Sequence, residues 1–406
     1  MTAPLQSPDA LPPARTPSDD SRVRVAAITG GRGRLDFLRV PWTVYAGDPN
    51  WVPPLLLERR LHLSRRNPFF QHAEVQLFVA YRDGRPVGRV SAQIDRLHLE
   101  RHRDQTGFFG MIEALDDPEV FSALLGAAEA WLAERGMQRI LGPLSFSIND
   151  EVGALLEGFD TPPMFMMPHG RPYYDARIQE VGFAKAKDVV AYTFDIRPQR
   201  PAILETTLRR VSANRRIHTR PLELSRLHED VALIGDIFND AWENNWSYVP
   251  WTREELADLA SSLKLFVPPE LIQIADVDGE PAAMIVVVPN LNEAIRDLDG
   301  RLFPLGWWKL LRRVRWGSPS TARVPLMGIR QRHQRSSLGM ALVFRLLDSV
   351  HAPLLARGVN RIELSWTLED NRPMRHIKER IGAEVYKTYR VYEKPLVPRT
   401  PTTRHA

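Results

Sequence analysis

Apolar and polar positions along the chain switch between period two and period 3.6 in an order that occurs twice. In the first pass, VQLFVAYRDGRPVGRVSAQI from Val75 alternates on both sides of Asp83-Gly84, the signature of two strands joined by a tight hairpin. Gly107 to Ala114 reads as a further strand. Asp116 or Asp117 ahead of Pro118 then opens a helix whose apolar positions, Phe121, Leu124, Leu125, Ala128, Trp131 and Leu132, share one face up to Gly136. The strand MQRILGPLSFS, a loop rich in Gly and Pro, the short helix YYDARIQEVGF and the strand DVVAYTFDI complete the series. Ahead of it, Val23 to Ile28 reads as a short strand. Arg39 to Pro54 carries too much Pro and Trp for a long helix and is expected to be irregular.

Residues 198–221 form a polar, basic crossover in which Ile203, Leu204 and Leu208 allow a bridging helix. The series then restarts. Val231 to Trp242 and Arg253 to Leu265 are helical, and LIQIADVDGEPAAMIVVVP is again a hairpin, about Asp278-Gly279. RVPLMGI is a strand, Ser337 to Ala356 a helix, NRIELSWT a strand, MRHIKERIGA a short helix and KTYRVYEKPL the last strand. Local matches accompany the shared order: AERGMQRI (Ala133–Ile140) parallels LARGVNRI (Leu355–Ile362). The expectation is an α/β protein with a mixed sheet, built from two tandem units at 23–197 and 222–397, with tails at 1–22 and 398–406.

Composition narrows the chemistry. The 406 residues are 44% hydrophobic, enough for sizeable cores. The net charge of +5 is spread along the chain and suits anionic small ligands as well as nucleic acid; no nucleic-acid partner is expected. The absence of cysteine excludes disulfides, thiolate metal sites and a Cys nucleophile, and the histidines show no metal-ligand spacing. No metal is expected. No apolar run approaches the ~20 residues of a bilayer span, and the first 22 residues lack an apolar core, so a cytoplasmic protein is expected.

GIRQRHQRSSLGMALVFRLL joins a strand to a helix. At a helix start the first N–H groups have no partner within the helix and the dipole end is positive, so an anion is stabilised there. Small residues (Ser336, Ser337, Gly339) let an anion approach the backbone, and Arg330, Arg332 and Arg335 raise the local potential. A Ser-capped helix with a solvated basic face has the same signature.

The order hairpin, strand, loop and helix, strand, short helix, strand resembles the GNAT acyltransferase superfamily. Gln334-Arg335-Ser336-Ser337-Leu338-Gly339 is similar to the family's Gln/Arg-x-x-Gly-x-Gly/Ala loop, whose amides hold the pyrophosphate of CoA, with Ser337 in place of a Gly. Asn371-Arg372-Pro373-Met374 ahead of KERIGA is similar to the family's Asn-x-x-Ala step. The resemblance implies acetyl-CoA or another acyl-CoA as co-substrate, held by Ile329, Arg330, Gln334 to Gly339 and, at the pantetheine arm, Asn371. Lys378 stands where the family often carries a Tyr acid; Tyr389 and its neighbours Tyr386 and Tyr392 are the alternative donors. The first unit has Glu113, Asp116, Asp117 and Glu119 around the corresponding helix start, and these would repel a pyrophosphate.

Acyl transfer to an amine needs the amine deprotonated and the departing thiolate protonated. Glu363 could relay the amine proton, although a surface or ion-paired Glu is the commoner role. Two segments dense in polar and aromatic groups are candidates for the acceptor pocket or for the seam between units: Asn245, Trp246 and Tyr248 in one, Asn149 and Glu151 in the other. Residues 303–316 combine aromatic, apolar and basic side chains at helical spacing, either a lid helix or a membrane-surface contact. The activity implied is N-acylation of a small amine. A non-catalytic ligand-binding protein and a transferase similar to the Fem or N-acyl amino acid synthase enzymes are the alternatives.

Overall fold

Among the described residues the strands form one large sheet and a two-stranded one, and helices pack against them. The computed structural model describes residues 22–397 apart from 201 and 318; the expected tails, Arg22 excepted, lie outside the described residues. The first unit begins with β1 (Arg24–Ile28), α1 (Gly31–Val44), α2 (Leu56–His62), β2 (Ala73–Arg82), β3 (Arg85–Asp95) and α3 (Arg96–His102). It continues through β4 (Thr106–Ala114), α4 (Pro118–Ala133), β5 (Arg139–Gly142), β6 (Leu144–Ser145), β7 (Glu151–Val152), β8 (Ala154–Glu157), α5 (Tyr174–Glu180) and β9 (Ala184–Asp195). Next come α6 (Ala202–Ser212), β10 (Ile217–Pro221), α7 (Leu227–Trp242), α8 (Arg253–Phe266), β11 (Ile272–Val277) and β12 (Glu280–Pro289). The chain ends with α9 (Leu291–Ile295), α10 (Gly306–Trp316), β13 (Thr321–Ile329), α11 (Ser337–Ala356), β14 (Arg361–Leu368), α12 (Arg372–Arg380) and β15 (Glu384–Pro395).

Both hairpins close as the sequence predicts. Asp83 and Gly84 have φ of 51° and 72°, and Asp278 and Gly279 have 53° and 88°, the paired positive values that match a tight turn to strand twist.

The strand order is β1-β2-β3-β4-β5-β15-β9-β14-β13-β12-β11-β10, with β8 also pairing β15. This order mirrors itself about its centre. Each unit lays down its own first strands and then gives its last strand to the middle: β15 of the second unit pairs β5 of the first, and β9 of the first pairs β14 of the second. The sheet therefore runs unbroken across the crossover, and the closing strands are exchanged between units. Within each unit one adjacent pair is parallel, β4 with β5 and β13 with β14.

Two local expectations are corrected. Residues 31–44 form a helix that runs through Pro41 into the segment expected to be irregular. Proline removes the N–H that would bond the Phe37 carbonyl, and the Arg89 guanidinium donates to that carbonyl instead at 3.1 Å, while Phe37, Val40 and Val44 are buried. In the 198–221 crossover the bridging helix forms as α6, but residues 217–221 add a strand the sequence did not signal, β10, which pairs with β11 at the sheet edge. In addition, α11 is by length and composition apolar enough to cross a bilayer, where no such segment was expected; it packs Leu342, Leu346, Val350 and Leu354 into the second unit's core.

Candidate active site

The two parallel pairs share one feature: each is joined only at its start. β13 and β14 pair from Thr321↔Arg361 to Val324↔Leu364, after which β13 continues to Ile329 and β14 to Leu368 without pairing to each other. A wedge opens between them, and its walls, Pro325 to Met327 and Ser365 to Trp366, are half-buried rather than sealed. β4 and β5 separate in the same way beyond Phe108↔Leu141. There the chain fills its own wedge. Ser145 Oγ accepts from the Met111 N–H (2.9 Å), and Gln93 donates to the carbonyls of Leu144 (2.6 Å) and Phe146 (3.0 Å). A Cβ at Gly110 would overlap the Leu144 carbonyl. The first unit's cleft is thus plugged by residues 144–146 and the second's is open.

Acidic groups mark the plugged side too. Glu113 is half-buried and accepts from Tyr45 and from Tyr174 (2.7 Å), with Arg89 at 3.9 Å; loss of solvent raises its carboxyl above the usual range.

At the open wedge, the loop after β13 supplies the predicted anion cradle. Ser336 caps α11 by accepting from the Gly339 N–H (3.0 Å), and the Ser337 and Leu338 amides form the exposed helix start. A Cβ at Gly339 would overlap the His333 carbonyl, so only glycine permits this tight turn. Gln334 braces the loop by donating to the carbonyls of Ile329 (2.8 Å) and Ala241 (3.0 Å). Arg330 is tied to Asp236 at 2.5 Å, whereas Arg335 has φ of 56° and is exposed. These residues fit a pyrophosphate: free amides, a positive dipole end, a nearby guanidinium and no carboxylate in the loop. Asn371 caps α12, its Oδ1 accepting from Met374 at 3.3 Å, which leaves only its amide NH2 for a ligand.

The base of the wedge is charged and buried. Glu363, 0% exposed, faces Arg323 across the parallel pair, with Nε 2.9 Å from Oε1. The Arg323 Nε–H is aimed at Ser365 Oγ (2.6 Å), so Oε1 gains the charge of the pair but no directed hydrogen bond. Arg323 also donates to the carbonyls of Phe165 and Met166, both at 3.1 Å, fastening the Met-rich loop to the wedge. The Tyr386 hydroxyl donates to the other oxygen of Glu363. Of the two ordinary roles weighed for Glu363, the surface one is excluded by its burial and the ion-paired one is present, with Arg323.

Lys378 and Tyr389 join the same cluster. β14 breaks register against β9 between Leu364 and Thr367. The Lys378 ammonium takes up the carbonyls freed by that bulge, donating to Leu364 (3.0 Å), Ser365 (2.7 Å) and Thr367 Oγ1 (2.7 Å). Burial pushes its pKa down to about 7, against the pull of Glu363. Tyr389 is fully buried, its hydroxyl has no partner, and burial together with Glu363 raises its pKa well above the usual range. Around it lie Leu155, Met164, Met167, Val189 and Ala191, an apolar chamber beside Trp366 and Leu368.

Sequence reasoning missed Arg323 and Lys387. The signal for Arg323 was a lone cation in an apolar strand, between Ala322 and Val324. Lys387 is buried, donates to the Gly158 and Thr161 carbonyls, and is pushed down to about 8 by burial. Simple alternation separates Tyr386 from Tyr389. The bulge between Val385 and Lys387 brings both toward Glu363.

The substrate candidates divide. Asn149 donates to the Val249 carbonyl (3.1 Å), so the two dense segments do meet at the seam. Trp246 packs beside Trp366 against Phe108, Leu141 and Val391. Asn245 is half-buried, and its N–H donates to the Trp242 carbonyl (2.8 Å). Tyr248 is buried, bonds Asn239 (2.8 Å) and lies under Arg101, a packing role. Glu151 points away to a cavity of about 70 Å³ in the first unit, 3.6 Å from Arg59.

No family model matches the chain. It is 46% identical over 362 residues to the bacterial ceramide synthase of Caulobacter vibrioides, covering 89% of this chain and 94% of that protein. It is 45% identical over 362 residues to protein YghO of Escherichia coli, covering 89% and 92%. The chain belongs to the family of these two proteins. Its fold is that of the GNAT proteins: a tandem GNAT protein from the clavulanic acid biosynthesis pathway superposes with a TM-score of 0.56 at 12% identity, over 93% of this chain and all of that one. A GNAT protein from Sphaerobacter thermophilus gives 0.54 at 13% identity, over 95% and 98%. This relative of protein YghO and of the bacterial ceramide synthase is thus an acyltransferase of the GNAT fold, with one wedge open and one closed.

Proposed function

We propose that this protein transfers a fatty acyl group from acyl-CoA to the amine of a long-chain base, forming a ceramide-type amide. The observation that carries the reading is the open wedge between β13 and β14, with a basic helix start at its mouth and the Glu363 cluster at its base. The relative named a ceramide synthase supports the product class, and the apolar chamber around Tyr389 supports an aliphatic substrate.

The α11 amides and Arg335 hold the pyrophosphate, which directs the thioester down the wedge. The amine attacks the thioester carbonyl carbon and passes its proton to Glu363, held in place by Arg323 and Tyr386. As the C–S bond breaks, the sulfur takes a proton from the Tyr389 hydroxyl, which is tied up in no hydrogen bond. The proton gained by Glu363 balances the one given up by Tyr389, and exchange with water through the open wedge restores both groups once the products leave. Lys378 positions the bulge and does not itself donate, because all its bonds are committed.

The test is incubation of the purified protein with acyl-CoAs of graded chain length and a sphingoid base, with amide read by mass spectrometry and CoA binding by thermal shift. Saturation at ~100 times Kd stabilises by roughly 2.7 kcal/mol. Ser337→Glu places a carboxylate at the helix start and should abolish the shift. Absence of both shift and amide overturns the proposal.

A further inference from the structure

Among the described residues, five of the twelve exposed large apolar side chains fall within nine positions: Phe303, Leu305, Trp307, Trp308 and Leu311. Phe303 is 76% exposed, and the two tryptophans 47% and 48%. They sit on and just before α10, in the insert between β12 and β13. The helix is anchored from its other side. Leu310 packs against Val52, Ile295 and Leu298, and Arg313 donates to the Ala294 carbonyl (2.8 Å) while pairing with Asp297. Its packing partners are α9 and the segment around Val52. Exposure of the outer face is thus a property of a fixed helix, not of a loose one.

Charge separates the possible occupants. From Phe303 to Trp316 the sequence carries Lys309, Arg312, Arg313 and Arg315 and no acidic residue. Arg312 is exposed beside the tryptophans, as is Lys309, which lies 3.6 Å from the Asp297 carboxylate that also pairs with Arg313. Aromatic and aliphatic side chains that project from a basic helix match an interface where acyl chains begin just below anionic headgroups. We propose that α10 and the turn before it dock this protein on an anionic membrane surface, with Phe303, Leu305, Trp307, Trp308 and Leu311 entering the headgroup layer.

The placement connects to the interior. At the base of the same insert Asn292 donates to the Pro163 carbonyl (2.9 Å), and Asn290 accepts from the Phe165 N–H (3.0 Å). These bonds seat the insert on the loop that carries Met164 and Met167, part of the chamber wall. A surface-bound protein therefore holds that loop on the membrane-facing side, where an amphiphile could pass between bilayer and chamber.

The experiment is co-sedimentation of the full chain with vesicles of phosphatidylcholine alone and of phosphatidylcholine containing about one-third phosphatidylglycerol. Binding is expected only to the anionic vesicles, to fall as salt rises, and to drop roughly tenfold or more in Trp307→Glu/Trp308→Glu. A thermal melt confirms that the variant folds, as both side chains are exposed. Failure of the native chain to bind, equal binding to neutral vesicles, or full binding by the folded variant overturns the proposal. So does a native dimer that the variant converts to a monomer, which would make the patch an interface between copies. Vesicle binding is read without substrate, so its outcome is separable from that of the acyl-transfer assay.

Discussion

Replacing Arg323 with Met tests the center of the candidate site. The guanidinium and the Glu363 carboxylate are both buried, 2.9 Å apart. At an effective dielectric constant of about 20 their attraction is about 6 kcal/mol, much of it offset by the desolvation of both charges. Removing one partner alone leaves a carboxylate in the interior without its counter-charge, and it strips the Phe165 and Met166 carbonyls and Ser365 Oγ of their donor. Such losses cost about 3–5 kcal/mol. The double variant Arg323→Met/Glu363→Leu removes the stranded charge and should regain most of that, giving a coupling of about 2 kcal/mol or more. Guanidinium denaturation of the native chain, both single variants and the double gives the four corners of the cycle. A single-variant loss below about 1 kcal/mol, or a double-variant loss equal to the sum of the singles, would refute the buried pair as described.

Three further outcomes are expected. Tyr389→Phe should leave stability unchanged or slightly raised, because its hydroxyl has no partner, yet lower kcat by roughly tenfold or more with little change in KM; unchanged kcat would remove Tyr389 as the proton donor. His72 bridges Asp95 (2.9 Å) and Glu255 (3.2 Å), joining the first unit to α8. Burial opposes its charge, but these bonds outweigh it and raise the pKa to about 9. A raised folded-state pKa means the contribution is full below the unfolded value near 6.5 and is lost as pH rises through about 9. The stability gap between native chain and His72→Gln should therefore close over that window by up to about 3 kcal/mol, and a gap independent of pH would contradict the bridge. Finally, Gly110→Ala should unseat the plug at Leu144 and destabilise the first unit in urea without weakening CoA binding at α11; a parallel loss of CoA binding would place the cofactor in the wrong unit.

Much of the architecture is local and was therefore legible. The hairpins at Asp83-Gly84 and Asp278-Gly279, the Asp117 and Ser336 caps and the full extent of α11 follow from periodicity and turn chemistry, which act over a few residues. The repeat of that order and the small-residue loop before α11 carried the family resemblance. What the sequence could not decide was which strands become neighbors, because every strand presents the same backbone donors and acceptors. The exchange of β9 and β15 and the burial of Glu363 against Arg323 are consequences of long-range pairing. The same holds for the plug of residues 144–146, which needs Gly110 and Gln93 from distant strands to receive it. Pro41 shows the rule in miniature. Read alone it ends a helix; in the folded chain Arg89, far along the sequence, supplies the missing donor. Local sequence determined the elements and the anion cradle, and tertiary pairing decided which of two similar wedges stayed open.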